Sequence, residues 1–113
     1  MQMNDYQVQA MSYAIYPPEF KAVYPILGLV NEAGEVAGKL KKILRDPDDH
    51  TDGGGLKQET KDAVADELGD VLWYLSTLCT DMGFKLEDIA NRNITKLTDR
   101  AARGVIGGSG DKR

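Results

Sequence analysis

The chain has 113 residues, is 42% hydrophobic and carries a net charge of −4. That length suits one small domain with an apolar core, and the acidic balance excludes a general nucleic-acid or anionic-membrane surface, though not a small phosphorylated ligand. The single cysteine, Cys79, leaves no intrachain disulfide; with no basic-then-apolar leader and no apolar run near about 18 residues, a soluble, cytoplasmic protein is expected.

Periodicity predicts four helices and no strand. The first is NDYQVQAMSYAIY, residues 4–16, capped by Asn4 or Asp5, with Val8, Met11 and Ile15 at helical spacing; Pro17 and Pro18 end it. The second runs from about Phe20 to Leu44, with Ile26, Leu29, Val30, Ala33, Val36, Leu40, Ile43 and Leu44 as its apolar positions. Pro25 either kinks its start or marks its first turn. RDPDDHTDGGG, residues 45–55, is a loop. The third helix spans about Leu56–Met82 and stops at Gly83; the fourth spans about Lys85–Ala102, with Leu86, Ile89, Ile94 and Leu97. The expected architecture is all-α: a small four-helix bundle over residues 1–103, followed by a glycine-rich, basic tail, 104–113. Alanine, glycine and apolar residues surround much of the second helix, which predicts burial on more than one side and hence a homodimer or homotetramer.

One short pattern occurs twice. EAGE at 32–35 is echoed by ELGD at 67–70: acid, x, glycine, acid, each on a predicted helix. At about 100° per residue, Glu32 and Glu35 lie about 60° apart on one face, as do Glu67 and Asp70. Both apolar stripes fall on the same side of their acid pair, so packing through them brings four carboxylates to one edge. Clustered carboxylates repel, and either take up protons or bind a cation. Oxygen-only ligands suit Mg²⁺, Mn²⁺ or Ca²⁺. The one histidine, His50, lies in the loop and Cys79 is remote from the acids in sequence, which argues against zinc and against a di-iron centre. The bland alternative is a solvated acidic face. Gly34, Gly38 and Gly69 in helix interiors suggest close packing or are merely tolerated.

These residues resemble the MazG-like nucleoside triphosphate pyrophosphohydrolases, an all-α group whose wider relatives include dimeric dUTPases and phosphoribosyl-ATP pyrophosphohydrolases. The likeness runs from about Tyr16 to Arg113 and rests on LGLVNEAGEVAGKLKK, DELGDVLWYLSTLC and the ending KLTDRAARGVIGGSGDKR. The long DPDDHTDGGG insert departs from the family pattern and bears on substrate choice. The resemblance implies Mg²⁺ at Glu32, Glu35, Glu67 and Asp70, and cleavage of a nucleoside triphosphate between its α- and β-phosphates to a monophosphate and pyrophosphate. It also implies nucleotide contacts from Asn93, Lys96 and Arg100, and it too points to an oligomer.

Several residues fit that chemistry. A carboxylate not fully engaged by metal, Glu35, is the candidate proton acceptor, with Glu67 beside it in the catalytic set. Lys39 lies one turn beyond Glu35, and Lys96, Arg100 and Arg103 share a face at spacings of four and three; a solvated basic helix end explains the latter three equally well. Trp73 is either a base-stacking ring or a core residue. The tail folds over phosphates through its amides and Lys112 or Arg113, or it is a solvated terminus. Two rival functions stay open: the same fold with a narrower substrate, dUTP or phosphoribosyl-ATP, and a non-catalytic helical oligomer that binds nucleotides or partners.

Overall fold

Helix boundaries follow the local chemistry of glycine and proline. The computed structural model describes all 113 residues. Its helices are α1 (Met3–Met11), α2 (Val23–Arg45), α3 (Pro47–His50), α4 (Gln58–Asp81) and α5 (Leu86–Ala102), with a 3₁₀ turn at Pro18–Phe20. The fold is all-α, as expected. Pro25 sits in the first turn of α2, where its missing N–H costs nothing. At the end of α4, Gly83 adopts φ 79°, while the amides of Gly83 and Phe84 bond back to the carbonyls of Thr80 and Cys79. These bonds satisfy carbonyls that a helix end would leave orphaned.

Three expectations are corrected. The first helix ends at Met11, not Tyr16, and Ile15 is almost fully exposed. Asn4 does not cap it; its amide donates to Glu87. The chain leaves the helix early because Tyr16 is needed elsewhere. Its hydroxyl donates to Asp81 Oδ2 at 2.7 Å, and the same oxygen accepts the Ala22 amide at 2.9 Å. Ala22 has φ 64° and ψ −43°, and Val23 N–H bonds Lys21 O at 2.8 Å across it. This is a γ-turn, a strained conformation for a residue with a Cβ, and Asp81 holds it at the entrance to α2. Burial and Asp81 together push the Tyr16 phenol up to about 12. In the insert, α3 and a single bridge between Thr51 and Leu56 replace the expected structureless loop.

The central pair is α2 with α4. Contacts at Ala22–Asp81, Gly28–Tyr74 and Lys39–Glu67 run in opposite directions along the two helices, so they are antiparallel. The face of α2 that meets α4 carries Pro25, Leu29, Glu32, Val36 and Ile43, all buried or half-buried. About 100° around α2 lies a second stripe: Ile26, Val30, Ala33, Ala37, Leu40 and Leu44, spaced 4-3-4-3-4. That spacing is a heptad seam. All six residues are exposed, Val30 at 68% and Leu44 at 73%.

Helix α5 is also half-covered. Leu86 is buried, but residues 91–99 are exposed throughout. The radius of gyration is 17.4 Å, against about 13 Å for a compact chain of this length. One large aliphatic side chain, Leu86, is buried, while some twenty large hydrophobics are exposed. The protomer is an open frame.

Candidate metal centre

The antiparallel pairing sets the two acid motifs side by side. Carboxylate oxygens of Glu32, Glu67 and Asp70 lie within 4.8 Å of one another. Glu32 and Glu67 are half-buried and Asp70 is exposed. Glu35 is exposed and stands outside this trio, though its charge still acts on Glu32. Lys39 Nζ is 3.8 Å from Glu67 Oε1, so one cation already leans on the cluster.

The electrostatics match the crowding. Glu32 is held above the usual carboxylate range, first by burial, then by Asp70, by a hydrogen bond with Glu67, and by the Glu67 and Glu35 charges. Two phenols stand in the same field. Tyr6 of α1 is pushed up by burial and by Asp70, and Tyr74 by burial, by Tyr24 and by Glu32 and Asp70. Sequence reasoning missed Tyr6, since it comes from another helix and no spacing links it to the motifs. The donor set is three carboxylates with no histidine or cysteine, and its negative charge is under-compensated. That is the chemistry of a site for a hard divalent cation such as Mg²⁺ or Mn²⁺.

A raised folded pKa has a definite sign. Between the ordinary carboxylate value and the raised one, the folded state holds more protons than the unfolded chain, so stability contributed at Glu32 falls as pH rises through that window. In EDTA, the Glu32→Gln variant is therefore expected to match the parent in melting temperature below the ordinary Glu range and to exceed it at pH 7. Parallel thermal melts from pH 4 to 8 check this; a variant that melts lower at pH 7 contradicts it.

Aromatic rings border the acids. Tyr16 stacks on Tyr24 with centroids 4.9 Å apart, Tyr24 meets Tyr74 at 6.2 Å, and Trp73 meets Tyr74 edge-on at 5.0 Å. The glycine that matters here is Gly28, because a Cβ at that position overlaps the Tyr74 ring. Gly34, Gly38 and Gly69 face open space within the protomer. Gly28→Ala is expected to destabilise the fold by about 1–3 kcal/mol through overpacking, read by chemical denaturation; an unchanged midpoint would mean that the ring moves aside freely.

The remaining sequence candidates scatter. Trp73 is half-buried and donates its indole N–H to Ala10 O at 3.0 Å, tying α4 to α1. Asn93 and Lys96 line a hollow formed by α5 residues alone and make no hydrogen bond or ion pair with the acids. Arg100 is 6% exposed and donates to Asp111 O; Arg103 pairs with Asp99 at 2.9 Å. His50 is half-buried, 3.1 Å from Thr60 Oγ1, and borders a cavity of about 410 Å³ with Lys39 and Lys42.

A family model for the MazG nucleotide pyrophosphohydrolase domain matches residues 24–105, which include both acid motifs. The chain belongs to the MazG family. Among its relatives is the Gene 37 protein of Mycobacterium phage L5, 44% identical over 119 aligned positions that cover the whole of both chains. No solved structure matches. The MazG match starts at Tyr24, so α1, with Tyr6, and Tyr16 precede it. No helix is long and apolar enough to cross a membrane.

Proposed function

We propose that this protein is a Mg²⁺-dependent nucleoside triphosphate pyrophosphohydrolase that cleaves (d)NTPs between the α- and β-phosphates, giving a (d)NMP and pyrophosphate. The observation that carries the reading is the meeting of Glu32, Glu67 and Asp70 within 4.8 Å in a MazG chain. Glu32, Glu67 and Asp70 would hold the cation, with Glu35 as the outer member of the set. A bound Mg²⁺ would supply charge neutralisation at the phosphates and a water of lowered pKa. Glu35, free of the trio, would accept the proton of the attacking water. Glu67 is shared between the cation site and Lys39, which brings a positive charge to the edge where pyrophosphate would leave. The ring cluster that Trp73 braces offers flat apolar surface for a base.

Asn93 and Lys96 remain candidates for the nucleotide, but they reach no acid of their own protomer. The exposed heptad seam on α2 and the uncovered half of α5 support a homodimer or homotetramer in which these side chains serve a neighbouring site. Arg100 and Arg103, at the end of the same helix, would add charge there.

The deciding experiment is release of pyrophosphate and monophosphate from a panel of NTPs and dNTPs, with dUTP and phosphoribosyl-ATP included, in Mg²⁺, Mn²⁺ or EDTA. Metal-dependent release of both products, lost in Glu35→Gln and Glu67→Gln, is the expected result, and the panel ranks base and sugar. Absence of release from every substrate would overturn the hydrolase reading and favour a non-catalytic nucleotide-binding oligomer.

A further inference from the structure

We propose that the C-terminal loop, residues 106–112, is an oxyanion site that takes a phosphoryl group through its backbone amides. The loop is wrapped around its own arginine. Arg113 Nε donates to the carbonyls of Val105 at 3.2 Å and Gly107 at 3.0 Å, Nη1 to Gly110 at 2.7 Å and Nη2 to Ile106 at 3.0 Å. From α5, Arg100 Nη2 donates to Asp111 O at 2.6 Å, and Arg103 Nη2 donates to the Arg113 carbonyl. Three guanidiniums thus engage the carbonyls of residues 105, 106, 107, 110, 111 and 113.

In a trans peptide the N–H points opposite to the C=O of the same unit. Drawing carbonyls 105–107 and 110–111 toward the guanidiniums therefore turns the amides of 106–108 and 111–112 away from them. No backbone amide from Ile106 to Lys112 donates to any group in the chain. Through Gly107–Gly110 the sign of φ alternates, positive at Gly108 (91°) and Gly110 (92°) and not at Gly107 or Ser109. Alternating signs of φ are a feature of anion-binding nests, in which successive N–H groups converge on one point. The charge agrees. Residues 99–113 carry four basic side chains, Arg100, Arg103, Lys112 and Arg113, against two acidic ones, Asp99 and Asp111, in a chain whose net charge is −4. Arg113 is thus the organiser of the loop, and the amides are its ligand-facing groups.

The ligand class is a small phosphate ester or anhydride. This rests on the proposed function only for the choice of probe: free pyrophosphate as product, or the triphosphate of a bound nucleotide. The test uses the full ¹⁵N-labelled chain in EDTA, titrated separately with inorganic pyrophosphate and with a non-hydrolysable NTP analogue. Saturable shifts of the Gly107, Gly108 and Ser109 amides are expected. A response to pyrophosphate alone identifies a product site, and a response to both identifies a site for the substrate's phosphate tail. The paired change Gly108→Ala and Gly110→Ala, which leaves the helices untouched, should weaken binding about tenfold or more. Non-saturating shifts spread over exposed lysines and arginines, or full affinity in the glycine variant, would overturn the proposal. No turnover enters this assay, so an inactive protein that binds here refutes only the hydrolase reading, and an active one without these shifts refutes only the nest.

Discussion

Glu67→Gln is expected to lower metal-dependent pyrophosphate release on the order of a thousandfold while the fold survives. Glu67 stands at the junction of the site. Its carboxylate is within 4.8 Å of Glu32 and Asp70 and faces Lys39. Glutamine keeps the shape and removes the charge, so a hard cation loses a ligand and Lys39 loses its partner. The ion pair is partly exposed and contributes little to stability, whereas relief of repulsion among the three acids acts in the opposite direction. Melting in EDTA should therefore stay close to the parent. The stabilisation that Mg²⁺ gives the parent through mass action should vanish. Pyrophosphate-release kinetics and thermal melts with and without Mg²⁺ check both halves. Parental activity in the variant would remove Glu67 from the mechanism.

The second large effect belongs to the α2 seam. Val30 and Leu40 lie on it, exposed in the protomer at 68% and 54%. Covering such a side chain with a neighbouring copy is worth about 1.5–3 kcal/mol each. The double change Val30→Glu and Leu40→Glu is expected to yield monomers by light scattering. A loss of about 3–6 kcal/mol per protomer should accompany it, and the proposal that Asn93 and Lys96 serve a neighbouring site predicts a fall in activity as well. The parent should melt higher as its concentration rises, which a monomer does not do. A monomeric parent at micromolar concentration would sink this expectation.

Much of the backbone was legible because α2 and α4 are long and strongly periodic. Pro25, Pro47, Gly83 and the DGGG run then bounded them by local sterics. The end of α1 was not legible: Ile15 continues the apolar spacing, and only a tertiary partner, Asp81, explains why the chain leaves the helix at Met11. The helical wheel put the acids of both motifs at one edge of the α2–α4 pair, and Glu32, Glu67 and Asp70 meet there. Glu35 lies about 60° further round from Glu32, and that offset leaves it on the exposed side. The wheel also merged two stripes of α2 into one list, with Leu29 and Val36 facing α4 and Val30 and Leu40 facing outward. Long-range side-chain bonds left no trace in spacing at all, as Trp73 to Ala10 and Arg100 to Asp111 illustrate.

The way α1 is attached has a thermodynamic consequence. Gln7 donates to Thr80 Oγ1 and Phe84 O and accepts the Leu86 amide, Asn4 donates to Glu87, and Ala10 O receives the Trp73 indole. Val8 is 75% exposed, while Ala10 is buried. The attachment therefore combines packing with several directional polar bonds, each worth only about 0.5–1.5 kcal/mol net. A short terminal helix held in this way is the kind of element that opens locally before the rest of a fold does, and its opening would carry Tyr6 away from Asp70.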